Sequence, residues 1–183
     1  MRKVIAAINM TLDGFCDHTA INPDEEIHQH YADLLKGAGA VLYGRKTYQL
    51  MEYWQTVVKN PTGDKATDEF ALVMDRTPKV VFSHTLKKLE WESAELATKD
   101  LKEDVLDRKQ QTGKDIFVGS PGLIVELTQL GLIDEYQICI HPVILGRGLV
   151  LFKDIVNRVD LKLLKTKTFK SGAVILYHEP VRE

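Results

Sequence analysis

The chain has 183 residues, of which 44% are hydrophobic and 27% charged, and this composition is ordinary for one globular domain, residues 1–183. Its formal net charge of −2 gives no electrostatic support for binding nucleic acid or an anionic membrane. We find neither a signal peptide nor an apolar run of membrane-spanning length, and the two cysteines, Cys16 and Cys139, suggest no disulfide framework. We therefore expect a cytoplasmic protein with free thiols.

The first part of the chain predicts a strand, a loop and a helix. Residues 3–8 form a continuous apolar run, typical of a buried strand, and a polar loop with an Asp-Gly turn follows. Asn22 is then the predicted N-cap, with Pro23 at the first helical position and Glu25 completing a capping box. The helix has an apolar stripe of Ile27, Tyr31, Leu34 and Leu35, and it ends at Gly37 and Gly39.

The remaining elements follow the same alternation. Residues 40–44 predict a strand, a helix begins near Arg45, and residues 55–75 predict a loop that leads into a helix around 68–74. Strands at 79–83 and 115–119 flank a polar helix at 101–111, and a leucine-rich helix follows the second of them. Residues 136–144 predict a strand that Pro142 ends or bulges, and residues 159–180 a hairpin that turns at Ser171-Gly172.

This order of elements predicts an α/β domain with a largely parallel sheet and antiparallel strands at its C-terminal end. In open sheets of this kind, ligands bind at the carboxyl ends of the strands. Asn9, Gly44, Ser83 and Gly119 all lie at the carboxyl ends of predicted strands. We therefore expect these four positions to meet at one ligand-binding edge.

Two of these strand ends carry residues suited to phosphate. In "VLYGRKTY", Arg45 and Lys46 offer charged donors and Thr47 can cap a helix or bind phosphate, although a helix start with two solvated cations has the same pattern. In "VGSPGLI", residues 118–124, a helix N-terminus follows a Gly-rich turn. Such a turn can also serve only to change the chain direction, but its position beside "YGRKT" favours phosphate.

These motifs together resemble a known family. "VIAAINMTLDGF", "GRKTY" and "KVVFSHTL" resemble the first strand and loop and the cofactor-binding strand ends of the dihydrofolate-reductase fold. The segment "FVGSPGLIVELTQLGLIDEYQICIHPVILGRGLVLF" is similar to the C-terminal reductase domain of bacterial riboflavin biosynthesis, with its "HPV-x-LG-x-G" loop. No deaminase segment with a His/Cys zinc signature precedes it, so the chain resembles a stand-alone member of that reductase family.

The resemblance implies a three-layer fold with a central mixed sheet, and NADPH as the cofactor. It implies that Ala7 and Asn9 lie beside the nicotinamide and that Ser83, with His84, holds the 2′-phosphate. On this comparison, the ribose and phosphates of the adenosine half are held by Gly44, Arg45, Lys46 and Thr47. The diphosphate is held by Gly119, Ser120, Pro121, Gly122, Leu123 and Ile124. Dihydrofolate reductases have two consecutive glycines at this turn, joined by a cis peptide. In this sequence Ser120 stands at the second position, which argues against a cis peptide here.

The substrate side is less well defined by the sequence. Asp24 and His28 flank the apolar stripe of the first helix and either face the cleft as catalytic groups or lie on an exposed helix edge. Asp13 is either a catalytic residue near the substrate, as the resemblance implies, or a turn former. Tyr48 and Trp54 are either aromatic walls for a flat substrate or core residues, and Arg147 either reaches a substrate phosphate or shapes a turn or subunit contact.

The sequence therefore predicts an NADPH-dependent reductase that transfers a hydride to a small heterocycle, pterin-like or ribosyl-pyrimidine-like. The alternative is an NADPH-binding sensor or regulatory protein without catalysis. A phosphotransferase is disfavoured because no G-x-x-x-x-G-K-[ST] motif follows the first strand. No metal site is expected, since His28 and His30 are two residues apart and diverge on a helix. The resemblance also implies a homodimer.

Overall fold

The computed structural model describes residues 1–182 and contains a single eight-stranded sheet. The strands are β1 (Val4–Thr11), β2 (Ala38–Gly44), β3 (Lys79–Phe82), β4 (Ala94–Leu96), β5 (Asp115–Val118), β6 (Glu135–His141), β7 (Leu161–Thr168) and β8 (Val174–Pro180). The helices are α1 (Glu25–Lys36), α2 (Arg45–Met51), α3 (Tyr53–Lys59), α4 (Lys65–Arg76), α5 (Leu101–Gln110) and α6 (Pro121–Gln129), with a short 3₁₀ helix at His18–Ala20.

The sheet has the order β4-β3-β2-β5-β1-β6-β8-β7 and is parallel from β4 to β6. β8 is antiparallel to β6, and β7 pairs antiparallel with β8 as the outer strand of a hairpin. The hairpin turns where predicted, because Gly172 has a φ of +84° and its N–H donates to the Phe169 carbonyl. The mixed, mostly parallel sheet with a C-terminal hairpin is thus confirmed.

Helices cover both faces of the sheet, because alternate strand residues point to opposite sides. Val4, Ala6 and Ile8 of β1 pack in the core that α5 and α6 close. Ile5, between them, packs in the core that α1, α2 and α4 close. The result is a layer of helices on each side of the sheet. Within residues 1–182, no helix combines the length and apolar character needed to cross a bilayer.

The prediction of the first helix start is wrong. The N-cap of α1 is Asp24, whose carboxylate accepts a hydrogen bond of 3.0 Å from the backbone N–H of Ile27. Asn22 and Pro23 precede the helix, and Glu25 is its first residue, so no capping box forms between Asn22 and Glu25. Asp and Asn are about equally good N-caps, and in this chain Asp24, two positions after Asn22, caps the helix.

Two further differences lie in the middle of the chain. The predicted loop from residue 55 is short, because α3 extends to Lys59 and α4 already begins at Lys65. Trp54 holds α3 in place through an edge-to-face contact with Phe70 of α4, at 4.5 Å between ring centroids. Strand β4 was not predicted from the sequence, because it has only three residues and no fully buried side chain.

Candidate active site

A cleft of about 310 Å³ opens beside the carboxyl ends of β1, β2 and β5. Its sheet side includes Ala7, Asn9, Tyr43 and Gly119. Its other walls come from helices α1 to α4 and from the loop after β1, with mostly apolar and aromatic side chains. The predicted ligand-binding edge of the sheet therefore carries a cavity of the size expected for a small-molecule site.

The exits of β2 and β5 are joined directly by a hydrogen bond. The buried hydroxyl of Ser120 accepts a bond of 2.9 Å from the backbone N–H of Gly44. Pro121 then starts α6 at the first helical position, as the sequence predicts. The Gly119–Ser120 peptide is trans, because residues 1–182 contain no cis peptide bond. The Ser120 hydroxyl keeps its own proton as a donor, since it serves Gly44 as an acceptor.

The start of α6 differs from those of the longer helices. Asp24, Asp64 and Asp100 cap α1, α4 and α5 by accepting backbone N–H bonds, whereas Ser120 makes no such bond to α6. The N–H of Ile124 donates to the Ser120 carbonyl inside the helix, and its side chain is buried in the core. Among the described residues, the uncommitted donors of this first turn are therefore the N–H groups of its second and third residues, Gly122 and Leu123.

The residues predicted for the adenosine half lie beside this turn. Arg45 and Lys46, the first two residues of α2, are exposed and form no ion pair with the part of the chain that the structure describes. Thr47 is mostly buried and lines the cleft. At the end of β3, the Ser83 hydroxyl accepts the N–H of Leu86 at 3.0 Å, and His84 is exposed. Two free cations thus stand next to the open helix start.

A hydrogen-bonded network that the sequence analysis missed holds Asn9. Its carbonyl oxygen lies 3.1 Å from the Tyr31 hydroxyl, which donates to it, and 3.0 Å from Nε2 of His141. Burial raises the pKa of Tyr31 well above its usual value and lowers the pKa of His141. A neutral His141 with its proton on Nε2 satisfies this contact. The Asn9 amide NH₂ is then left for a ligand, and Asn9 lines the cleft.

The three predicted catalytic side chains lie in different environments. His28 lines the cleft, stacks on Phe70 at 5.7 Å and contacts the Thr67 hydroxyl at 3.1 Å through Nδ1. Burial lowers the pKa of His28, which makes it neutral at physiological pH. Asp24 and Asp13 are absent from the described cleft wall, since Asp24 caps α1 and Asp13 belongs to the loop after β1.

Asp13 instead anchors the loop that follows β6. Its carboxylate accepts the N–H of Gly146 at 2.7 Å, that of Leu145 at 3.0 Å, and the hydroxyl of Thr11 at 2.7 Å. The hydrogen bond from Thr11 is the main cause that lowers the pKa of Asp13, and the loop N–H groups act in the same direction. This carboxylate is therefore ionised at neutral pH and holds backbone in place.

Of the three predicted substrate residues, the cleft contains one. Trp54 lines the cavity. Tyr48 does not, because a 100° rotation along α2 from Thr47 directs it into the core, where its hydroxyl accepts the N–H groups of Glu90 and Trp91. Of the two roles that the sequence left open for Tyr48, the structure therefore shows the core residue. Arg147 is exposed in the loop after β6 and is also outside the described cleft wall.

The cleft also has walls that the sequence analysis did not identify. Tyr53 packs edge-on against Trp54 at 5.5 Å and extends the aromatic wall that Phe70 begins. Asp17 contributes a carboxylate, and one of its oxygens accepts the N–H of Leu149 at 2.5 Å. The adjacent aromatics Tyr53 and Trp54 were a signal for this wall, whereas nothing distinguished Asp17 from the other polar residues of its loop.

Comparison with known proteins assigns the family. The profile of the RibD C-terminal domain matches residues 2–175. The uncharacterized protein YyaP of Bacillus subtilis is 36% identical over 186 aligned residues, which cover 97% of this chain and 95% of YyaP. A crystal structure of a putative riboflavin biosynthesis protein from Shewanella sp. PV-4 superposes with a TM-score of 0.74 at 17% identity and full coverage of both chains.

A second solved structure is a longer protein. It is the diaminohydroxyphosphoribosylaminopyrimidine deaminase/5-amino-6-(5-phosphoribosylamino)uracil reductase of Thermotoga maritima, with a TM-score of 0.66 and 16% identity. The alignment covers 98% of this chain and 57% of that one. At these identities the structures establish the dihydrofolate-reductase-like fold. The profile match and the Bacillus relative establish more, namely that the chain belongs to the RibD C-terminal domain family, a reductase domain family of riboflavin biosynthesis.

Proposed function

We propose that this protein is an NADPH-dependent reductase that transfers a hydride to a small heterocyclic substrate. The observation that carries the proposal is the combination of donors at one edge of the sheet. Two unpaired cations, Arg45 and Lys46, and the uncapped start of α6 lie beside a largely apolar cleft with an Asn9 amide in its wall. This is an anion site joined to a pocket for a flat organic group.

The residues fit the cofactor by the chemistry of their donors. The Gly122 and Leu123 N–H groups and the Ser120 hydroxyl would hold the diphosphate, since a helix N-terminus favours negative charge. Arg45 and Lys46 would hold the phosphate of the adenosine half, with Ser83 and His84 nearby on the next strand in the sheet. Ala7, Asn9 and Gly119 would form the wall beside the nicotinamide.

Bound NADPH would supply the hydride to an electron-poor carbon of the substrate, and a proton would add to the neighbouring heteroatom. The protein's own part is to orient the substrate between the sheet and the aromatic wall, with the Asn9 amide held by Tyr31 and His141. Asp17 is the carboxylate on the described cleft wall. Because the cleft opens to solvent, water can also deliver the proton.

The test is cofactor binding by an arginine variant. Arg45→Ala should weaken NADPH binding by about 10- to 100-fold while leaving NADH nearly unchanged, because a charged hydrogen bond is worth about 1.5–3 kcal/mol. Arg76→Ala is the matched control, since Arg76 is exposed at the end of α4, near the opposite edge of the sheet. Nicotinamide fluorescence titrations measure both. Equal losses for NADPH and NADH would contradict a role of Arg45 at the 2′-phosphate.

A non-catalytic NADPH sensor is the second candidate, and the positions of the predicted acids favour it. Asp24 caps α1 and Asp13 anchors a loop, so neither carboxylate stands on the described cleft wall. Turnover separates the two functions. NADPH oxidation that depends on an added pterin or aminopyrimidine supports the reductase. Tight NADPH binding without oxidation across a broad panel of heterocycles supports the sensor.

A further inference from the structure

The charge of the cleft wall limits the substrate that the proposed reductase can accept. Among the described residues that line the cleft there is no lysine or arginine, and Asp17 contributes the one carboxylate. Two histidines, His18 and His28, also line it, and burial lowers the pKa of both. The described wall therefore has no lysine or arginine and one carboxylate, and burial disfavours the charged form of both of its histidines.

One wall of the cleft is aromatic. The rings of Trp54 and Phe70 meet edge to face at 4.5 Å between their centroids, and His28 stacks on Phe70. His28 also meets the Trp54 ring edge-on at 5.7 Å. Nδ1 of His28 is engaged by the Thr67 hydroxyl, so this ring is held in place as part of the wall. The wall suits a flat ring that binds by stacking and apolar contact.

A phosphate group has no counter-charge in such a pocket. Anions in protein sites are held by Arg, Lys or clusters of backbone N–H groups, and an unpaired buried anion is strongly disfavoured. The cations that the site does have, Arg45 and Lys46, are the first two residues of α2 and lie outside the described cleft wall. There they serve the cofactor in the function proposed above.

On this basis, and resting on that proposed function, we propose that the substrate is an uncharged, planar heterocycle without a phosphate group. This specificity differs from that of the Thermotoga reductase, which is named for a phosphoribosylamino-uracil. The observation behind it is that the described cleft wall of this chain presents mostly aromatic and aliphatic side chains and no lysine or arginine.

The experiment compares a matched pair of ligands. Calorimetry measures the affinity of 5-amino-6-(5-phosphoribosylamino)uracil and of its dephosphorylated form for the whole protein, each with and without saturating NADPH. A simple uncharged pterin is a third ligand. We expect the dephosphorylated form and the pterin to bind at least about tenfold more tightly than the phosphorylated form, because an anion buried without a counter-charge is disfavoured. Equal or tighter binding of the phosphorylated form would overturn the inference.

A charge-restoring variant tests the cause. Leu50 lines the cleft on α2 and is 42% exposed, so a lysine there can be accommodated without disturbing the core. Leu50→Lys should bind the phosphorylated ligand about tenfold more tightly than the neutral control Leu50→Met, when each affinity is taken relative to the pterin affinity of the same variant. No gain with lysine would show that the missing cation is not the cause and would also overturn the inference.

The NADPH titration keeps this result separate from the proposed function. If NADPH fails to bind, the reductase proposal fails, but the ligand pair still reports on the cleft of the cofactor-free protein. If NADPH binds and the phosphorylated ligand is preferred, the reductase proposal stands and the substrate inference fails.

Discussion

Gly119→Ala separates a role in the cofactor pocket from a role in the fold. A Cβ atom added at Gly119 would lie 3.4 Å from Cε1 of Tyr43 and 3.8 Å from the carbonyl oxygen of Ala7. Both neighbours line the cleft, so the methyl would enter the wall where we propose that the nicotinamide binds. The backbone of Gly119 does not require a positive φ, so alanine can adopt its conformation.

The expected magnitudes follow from these contacts. Neither distance is a severe clash, and a glycine-to-alanine change at a compatible site also reduces the entropy of the unfolded chain, so unfolding free energy should change by less than about 1 kcal/mol. A methyl group forced against a bound ring should cost about 1–3 kcal/mol of binding. That cost corresponds to a roughly 5- to 150-fold loss of NADPH affinity.

Gly39→Ala is the control with the opposite expectation. A Cβ at Gly39 would lie 2.5 Å from Nη2 of Arg2 and 2.6 Å from the backbone oxygen of Lys114, away from the cleft. This overpacking should cost about 1–3 kcal/mol of unfolding free energy and leave NADPH affinity unchanged. Urea unfolding and fluorescence titration measure the two quantities. Wild-type NADPH affinity in Gly119→Ala would refute the proposed position of the cofactor, and parallel losses in both variants would indicate general destabilisation.

Three further predictions concern an anchor, a titrating group and an exposed edge. Asp13→Asn should loosen the loop after β6, because the loop N–H groups lose a charged acceptor, and the rate of proteolysis at residues 142–150 should rise by roughly 3- to 10-fold. Turnover at saturating substrate should persist. A loss of turnover while the loop stays resistant to proteolysis would instead make Asp13 a catalytic residue. His30 has a pKa lowered to about 4, mainly by burial, from an ordinary value of 6.5. As the pH falls, the unfolded chain takes up this proton before the folded chain does. The free energy of unfolding therefore decreases between pH 6.5 and about pH 4, by about 1–2 kcal/mol after allowing for solvent screening. Urea unfolding at several pH values should show a smaller decrease for His30→Leu, and an equal decrease in both proteins would contradict this assignment. β7 is the edge strand of the sheet and exposes Leu161, Leu163 and Leu164, so we expect a homodimer that forms through this strand. Light scattering should detect a dimer for the wild type and a monomer for Leu163→Lys. A monomeric wild type would contradict this expectation.

The ligand-binding edge was predictable because its signals are local. Continuous apolar runs mark β1, β2 and β5, and the residue after each run is read directly from the sequence. Parallel pairing then brings Asn9, Gly44 and Gly119 to one edge without knowledge of any side-chain contact. The sequence pattern therefore predicts where the cleft lies, but not which helix and loop residues form its walls.

The failures share a different cause, which is contact between distant parts of the chain. The Asn9 network joins residues separated by 22 and 132 positions, and it depends on the β1–β6 register. The sequence left the role of Tyr48 open between cleft wall and core, because its core position involves hydroxyl contacts with the distant residues Glu90 and Trp91. β4 was missed because its three residues form a strand only by pairing with β3.

Ser120 shows how a local pattern and a distant contact combine at the proposed site. A serine before a proline-initiated helix is an ordinary N-cap by sequence, and such a cap is worth about 1 kcal/mol. Here its hydroxyl instead accepts the N–H of Gly44 and joins the exits of β2 and β5. The start of α6 consequently lacks a side-chain cap, whereas Asp24, Asp64 and Asp100 each accept one backbone N–H at the starts of α1, α4 and α5. A helix start that forgoes its cap beside two unpaired cations is better explained by an anion that completes it than by the needs of a turn.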